Sequence, residues 1–181
     1  MHKFPLAVIG AGVIGRTHIE RILKTPEFAL VGVAESGLTG RQWCAERNIP
    51  VFDNHLALLE ASRLQGVVIA TPNSLHVPAA IDCIERGVGV LIEKPVADSV
   101  ERALDLVRVL QSTEVPVLVG HHRRHNPLLQ KAAQHIAAGG IGRVVAVVGL
   151  WLRRKPDEYF SDLWKLDPAR GGGVLLINTI H

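Results

Sequence analysis

The first 120 residues alternate short, continuous apolar runs with segments of helical periodicity. The apolar runs are FPLAVIG (4–10), FALVGVA (28–34), the brief IPVF (49–52), GVVIA (66–70), VGVLIE (88–93) and VPVLVG (115–120). Strands without apolar–polar alternation are buried on both faces, and the intervening helices supply the covering layers. The pattern therefore predicts an α/β domain with a doubly wound parallel sheet of the Rossmann type. Its ligand should lie at the carboxyl ends of the strands.

Five segments between these runs have helical spacing of apolar residues, namely 13–24, 42–47, 56–64, 78–86 and ALDLVRVL (103–110). Asp98 and Glu101 form a capping-box pattern before the last of them. After Gly120 the pattern changes. Asn126 and Pro127 predict the start of a helix that ends at Gly139.

A long apolar run, RVVAVVGLWLRR (143–154), predicts a further strand, and an irregular stretch rich in charged and aromatic residues follows it. We therefore divide the chain into a Rossmann-type domain, 1–120, and a segment, 121–181. The second segment is interpreted as the start of an α+β domain that the chain does not complete.

Apolar residues make up 48% of the chain and charged residues 20%, which is typical of a globular protein. The longest apolar stretch is far shorter than the roughly 20 residues of a membrane span. Cys44 and Cys83 are not in a CxxC pair, so we expect buried thiols rather than a disulfide framework or a zinc site. The N-terminus lacks the layout of a signal peptide, which favours a cytoplasmic location.

The sequence GAGVIG, residues 10–15, lies between a predicted strand and a predicted helix. Gly10 permits a tight turn, Gly12 lets the backbone approach a pyrophosphate, and Gly15 permits close packing of helix on strand. With Val13 and Ile14 these residues form the predicted phosphate-binding loop. The alternative is a glycine turn that binds no ligand. The position of GAGVIG between a strand and a helix argues against this alternative.

Glu35 follows the second apolar run, 20 residues after Gly15. A carboxylate there accepts hydrogen bonds from a ribose diol and repels a 2′-phosphate, which favours NAD over NADP. Arg41 lies close enough in sequence to leave NADP possible.

The segment ATPNSLH (70–76) follows a buried strand and should reach the same edge of the sheet. Thr71 and Asn73 offer polar groups to a nicotinamide or ribose, and Pro72 holds the turn. His76 is included among the candidate cofactor residues, with a structural role as the alternative.

Glu93-Lys94-Pro95 ends the next strand. At this place the Lys94 ammonium would point into the ligand crevice and could polarise a substrate oxygen. Glu93 is placed with it at the cofactor edge.

The cluster HHRRH (121–125) suggests neither nucleic-acid binding nor a metal site. No aromatic residues are interleaved with its basic residues, and His121 and His122 would point in opposite directions at a strand end. We expect Arg123 and Arg124 to contact substrate or to join the two parts of the chain. We expect no metal, nucleic-acid or membrane partner.

Taken together, GAGVIG, ATPNSLH, EKP, GHHRRHNP and the terminal GGG…H resemble the Gfo/Idh/MocA family of oxidoreductases. The resemblance covers essentially the whole chain. It implies hydride transfer between NAD(P) and a hydroxyl carbon of a sugar, cyclitol or related diol, and a homo-oligomer when the protein is full length.

The resemblance also implies catalytic roles. Lys94 matches the lysine of the EKP motif, and His181 matches the histidine that acts as general base. The family's carboxylate position is Ile177 here. On a helix Asn178 would lie on the same side as His181 and would orient a substrate hydroxyl, although an amide cannot take up a proton.

Two alternatives stay open. One is a dinucleotide-binding regulatory or scaffold protein that has lost turnover, which the missing carboxylate at 177 favours. The other is a dihydrodiol or imine reductase on the same cofactor domain. Because the pattern stops at His181, we expect a fragment that binds NAD(H) but turns over little or nothing.

Overall fold

Strands and helices alternate along the chain in the computed structural model, which describes residues 3–150, 152, 154–161, 163–167 and 173. The strands are β1 (Phe4–Ile9), β2 (Phe28–Ala34), β3 (Val51–Phe52), β4 (Gly66–Ile69), β5 (Gly89–Ile92) and β6 (Val117–Val119). The helices are α1 (Val13–Lys24), α2 (Leu38–Ala45), α3 (His55–Ala61), α4 (His76–Ile84), α5 (Val100–Leu110) and α6 (Pro127–Ala137). Short 3-10 helices span Asn73–Leu75, His122–His125, Asp157–Ser161 and Leu163–Leu166.

The six strands form one parallel sheet in the order β3-β2-β1-β4-β5-β6. The prediction of a doubly wound, Rossmann-type sheet is therefore confirmed. The strand order reverses between β1 and β4, and ligands of such sheets bind in the crevice at this point. The loops after β1 and β4 are consequently the ones that frame the candidate site.

Neighbouring residues of the central strands point to opposite faces of the sheet, and both faces are covered. In β1, Ala7 belongs to one apolar cluster and Val8 to the other. In β4, Val67 and Val68 divide in the same way. Each of the four is at most 6% exposed. This two-sided burial is the physical reason that the strands read as continuous apolar runs.

Side-chain caps begin three of the helices. Asn54 accepts a hydrogen bond from the backbone N–H of Ala57 at 2.9 Å, and Asn126 accepts one from Leu128 at 2.9 Å. The cap of α5 is Ser99, whose hydroxyl accepts from the N–H of Arg102 at 3.2 Å. The prediction of a capping box beginning at Asp98 is therefore wrong by one residue, because Ser99 is the extended residue that immediately precedes the helix.

The apolar run beginning at 143 does not form the predicted strand in residues 143–150. Val145, Val147 and Leu150 are 81, 85 and 82% exposed. A strand is stabilised by hydrogen bonds to a neighbouring strand, and no strand of the described residues pairs with this run. Its β-propensity alone therefore does not produce a strand. The assignment of 121–181 to a second domain stays a prediction.

Candidate functional site

Four loops meet at the carboxyl edge of the sheet, and backbone hydrogen bonds hold each loop to the neighbouring strand. These bonds are Gly10 N–H to Ala34 O at 2.8 Å, Ala70 N–H to Ile9 O at 2.8 Å, Glu93 N–H to Ile69 O at 2.9 Å and Gly120 N–H to Ile92 O at 2.7 Å. Residues predicted separately from the sequence are therefore brought to one edge. The loops are fixed relative to one another by the sheet rather than by their own sequences.

Gly10 and Gly15 are required by the backbone itself. Gly10 has φ +94°, and a Cβ there would lie 2.7 Å from the carbonyl oxygen of Ala70. A Cβ on Gly15 would collide with the carbonyl oxygen of Gly10. Gly10 thus allows the tight turn beside β4, and Gly15 allows α1 to pack closely against the backbone of that turn.

Gly12 differs, because a Cβ on it would meet nothing within 4 Å. It is the N-cap residue of α1, and no side chain caps that helix or places an acid in its first turn. Val13 is 81% exposed and Ile14 is 50% exposed. Open space thus lies against a helix N-terminus with uncapped N–H groups, an arrangement suited to a pyrophosphate. The glycine loop fits the dinucleotide that the sequence predicts.

Glu35 lies directly beside this loop. Its Oε2 accepts a hydrogen bond from the N–H of Ala11 at 2.6 Å, and its Oε1 accepts one from Gly37 at 2.6 Å. A Cβ on Gly40 would lie 2.6 Å from Cγ of Glu35, so the absence of a side chain at Gly40 leaves room for the carboxylate. The position matches the predicted ribose-binding role.

Arg41 is held by protein groups on the other side of Glu35. Its Nη1 donates to the backbone oxygen of Glu35 at 3.0 Å and to Oδ1 of Asp53 at 2.7 Å. Both side chains of the Arg41–Asp53 ion pair are more than one third exposed, so the pair is a weak restraint.

The loop after β4 carries a buried hydroxyl and a buried imidazole. Oγ1 of Thr71 is buried and has no hydrogen-bond partner among the described residues. Such an orphan hydroxyl next to a ligand crevice suits a polar ligand group. Asn73 is 5% exposed and begins the short 3-10 helix, and Pro72 is the N-cap residue before it.

His76 is 1% exposed, so the structure places it beneath the loops rather than on the open crevice. Nδ1 lies 2.8 Å from the carbonyl oxygen of Pro95, and Nε2 lies 2.9 Å from that of Thr71. Burial lowers the pKa of His76, although both carbonyls and the charges of Glu93 and Asp98 oppose the shift. The contacts favour the structural alternative, in which His76 joins the two loops.

Glu93 and Lys94 follow β5, and the Lys94–Pro95 peptide is cis. Oε1 of Glu93 lies 2.8 Å from Nε2 of His18, and Oε2 accepts from the N–H of Lys94 at 3.2 Å. Burial would raise the pKa of Glu93, but the His18 hydrogen bond and the charges of His18 and Lys94 outweigh it and lower that pKa.

The surroundings of Lys94 disfavour its protonated, positively charged form. Burial lowers the pKa of Lys94, Glu93 raises it, and the positive charges of Lys155 and Arg123 lower it further. The substrate role of Arg123 stays a prediction. Arg124 is exposed, and its carbonyl oxygen accepts from Nε2 of Gln130 at 3.0 Å.

A groove of about 530 Å³ lies next to Arg123. It is lined by His122, Arg123, His125, Asn126, Leu128 and Leu129.

Three residues near the site were not singled out from the sequence. His18 contacts Glu93 across 75 residues, Gly40 makes room for Glu35, and Gly120 makes room for the Glu93 carboxylate. No local pattern marks them, because each matters through a residue that is distant in sequence or on another loop. Conversely, Ile177, Asn178 and His181 lie outside the described residues, and their predicted roles stay predictions.

Within the described part of the chain, no helix is both long and apolar enough to cross a bilayer. Across the same residues, no three His, Cys, Asp or Glu side chains are grouped in a way that could hold a metal ion.

A family model described as an oxidoreductase family with an NAD-binding Rossmann fold, Gfo/Idh/MocA, matches residues 4–121. The chain is 29% identical over 182 aligned residues to the rhizopine catabolism protein MocA of Rhizobium meliloti, covering 100% of this chain and 55% of the relative. It is 32% identical over 159 residues to an inositol 2-dehydrogenase of Rubrobacter xylanophilus, covering 86% and 46%.

Among solved structures, the WlbA dehydrogenase of Bordetella pertussis, in complex with NADH and UDP-GlcNAcA, superposes with a TM-score of 0.85 at 26% identity. The match covers 97% of this chain and 54% of that one. The chain thus spans about half the length of the curated relatives it matches.

Proposed function

The chain belongs to the Gfo/Idh/MocA oxidoreductase family, and on this basis we propose that it serves NAD-dependent hydride transfer at a hydroxyl carbon of a sugar, cyclitol or related diol. The observation that carries the proposal is the open space at Gly12, against the uncapped start of α1 and beside Glu35. Relatives that are named inositol 2-dehydrogenases support a polyol as substrate.

The cofactor residues divide by position. Gly12 and the first N–H groups of α1 would hold the pyrophosphate, and the Glu35 carboxylate would accept hydrogen bonds from the ribose hydroxyls. The orphan Thr71 hydroxyl and Asn73 would hold polar groups at the nicotinamide end. When bound, NAD supplies the hydride acceptor or donor.

Lys94 is the described residue best placed for the chemistry. A half-buried ammonium beside the crevice stabilises negative charge that develops on a substrate oxygen more strongly than it would in water. Arg123 adds positive charge at the same edge and would contact polar substrate groups. His181 as base and Asn178 as an orienting amide complete the proposed set. Cytoplasmic location and homo-oligomerisation stay predictions.

Binding is tested with the 181-residue chain by titrating NADH and following its fluorescence. We expect saturable binding that Gly12→Val abolishes. Unaltered binding by a folded Gly12→Val variant would contradict the proposed cofactor site. Binding and turnover are measured separately, because we expect the 181-residue chain to bind NAD(H) even though its turnover is weak.

Turnover is tested with the complete protein, which is mixed with NAD and a panel of sugars, cyclitols and cis-diols while absorbance at the NADH band is recorded. Any reduction should be lost in Lys94→Met. NADH binding with no reduction by any compound would instead favour the regulatory or scaffold alternative, for which Ile177 in place of a carboxylate is the supporting feature.

A further inference from the structure

The contact between His18 and Glu93 ties helix α1 to the end of β5. The imidazole Nε2 lies 2.8 Å from Oε1 of the carboxylate, and the two side chains are 20 and 15% exposed. An ionised carboxylate can only accept hydrogen bonds, so the proton lies on Nε2 of His18. The contact thus joins the helix that begins at the glycine loop to the residue that precedes Lys94.

The Glu93 carboxylate is confined on its other sides as well. Its Oε2 accepts from the N–H of Lys94 at 3.2 Å. A Cβ on Gly120 would lie 3.1 Å from both carboxylate oxygens, so a larger residue would displace them. The N–H of Gly120 donates to the oxygen of Ile92 at 2.7 Å, which fixes the backbone there. The carboxylate therefore occupies a defined place between α1, β5 and β6.

The charge of the Glu93 carboxylate also affects the protonation of Lys94. Burial works against the ionised form of Glu93, and His18 contributes most to overcoming it. For Lys94, burial and the charges of Lys155 and Arg123 favour loss of the proton, whereas Glu93 opposes it. The carboxylate can act in this way only while it is ionised and close to the ammonium.

We propose that His18 is a positioning residue for Lys94: by holding the Glu93 carboxylate against the backbone N–H of Lys94, it keeps a negative charge at that residue and so preserves the positive charge that Lys94 presents to a substrate oxygen. The significance for catalysis rests on the proposed function. The effect on the charge of Lys94 does not, because it operates with no substrate bound. The cofactor helix thereby contributes to the catalytic edge as well as to dinucleotide binding.

The proposal is tested by measuring the pKa of Lys94 in the 181-residue chain carrying ¹³C-labelled lysine. The Cε resonance is followed by NMR across pH and assigned with a Lys94→Arg variant. His18→Leu should shift the pKa of Lys94 downward, because Glu93 then loses the hydrogen bond that holds its carboxylate in place and can move away from Lys94. His18→Gln keeps a neutral donor and should shift it less.

His55→Leu is the matched control. His55 Nε2 lies 2.7 Å from Oδ2 of Asp82, and their side chains are 24 and 33% exposed. The control therefore removes a histidine–carboxylate pair of the same kind on α3 and α4. It should leave the pKa of Lys94 at its wild-type value.

A double-mutant cycle separates positioning from a general structural effect. Glu93→Gln should also lower the pKa of Lys94, and adding His18→Leu to it should produce no further shift. Additive shifts, or an unchanged Lys94 pKa in folded His18→Leu, would overturn the proposal. Should His18→Leu not fold, His18→Gln and Glu93→Gln decide: an unchanged Lys94 pKa in Glu93→Gln would refute it. Because no step requires turnover, failure of the polyol assay leaves this test intact.

Discussion

The Glu35 carboxylate accepts a 2.6 Å hydrogen bond from the backbone N–H of Ala11, which joins the end of β2 to the glycine loop after β1. Its second oxygen accepts from Gly37, also at 2.6 Å. A carboxylate held by two N–H groups is positioned before any ligand arrives. The acid that the sequence predicts to select the cofactor is therefore also part of the loop's own structure.

Glu35→Gln tests the selection of cofactor. The amide keeps the size of the side chain, but its nitrogen cannot accept a hydrogen bond and its oxygen carries no charge, so we expect NADH affinity to fall by about tenfold, since hydrogen bonds to charged groups contribute about 1.5–3 kcal/mol. NADPH affinity should fall less, because repulsion of the 2′-phosphate is also removed. Fluorescence titration with both cofactors measures this. The exposed Glu60→Gln serves as control, and equal losses for both cofactors would contradict the assignment.

Two glycine variants should separate binding from stability. Gly12→Val should abolish NADH binding with little change in Tm, because no atom within 4 Å opposes a side chain there. Gly15→Ala should lower stability by roughly 1–3 kcal/mol, because its Cβ meets the Gly10 carbonyl and forces α1 to move. Thermal unfolding and NADH titration on both variants check the pair. A large Tm loss in Gly12→Val would argue against the open cradle.

Stability should fall as the pH is lowered below about 6.5, and His76 should account for part of the fall. Its pKa is lowered from the ordinary 6.5 in the folded protein, chiefly by burial. The unfolded chain therefore binds more protons in acid, and the contribution is complete above that value and lost as pH falls.

His76→Gln should flatten the profile of Tm against pH between about 7.5 and 5.5. The exposed His125→Gln should leave the slope as in the wild type. A His76→Gln slope equal to that of the wild type would show that the buried imidazole is not the titrating group.

Both cysteines should resist thiol reagents while the protein is folded. Burial raises the pKa of Cys44 and raises that of Cys83 to about 12, and each side chain is 0% exposed. The thiolate is the reactive form, so reaction with a disulfide reagent such as dithionitrobenzoate should follow unfolding in guanidinium chloride. Rapid reaction of either thiol without denaturant would contradict the core packing.

Local pattern sufficed to predict most of the fold. The apolar runs predicted all six strands, and Asn126 with Pro127 predicted the start of α6. Local pattern failed for the apolar run that begins at residue 143, where apolar and β-branched residues indicated a strand. Strand formation also depends on a neighbour, and that is not a property of the run itself.

By itself, the sequence determined the order of elements and the residues whose chemistry acts locally: the glycine loop, Glu35 at a strand end and Lys94 after β5. These follow from periodicity and spacing, which act over a few residues. Only the tertiary structure decided that His18 meets Glu93, that His76 lies between the carbonyls of Thr71 and Pro95, and that Gly120 makes room for a carboxylate. Those contacts depend on which strands are neighbours and on how each helix is rotated against the sheet. Both are set by packing across the whole domain.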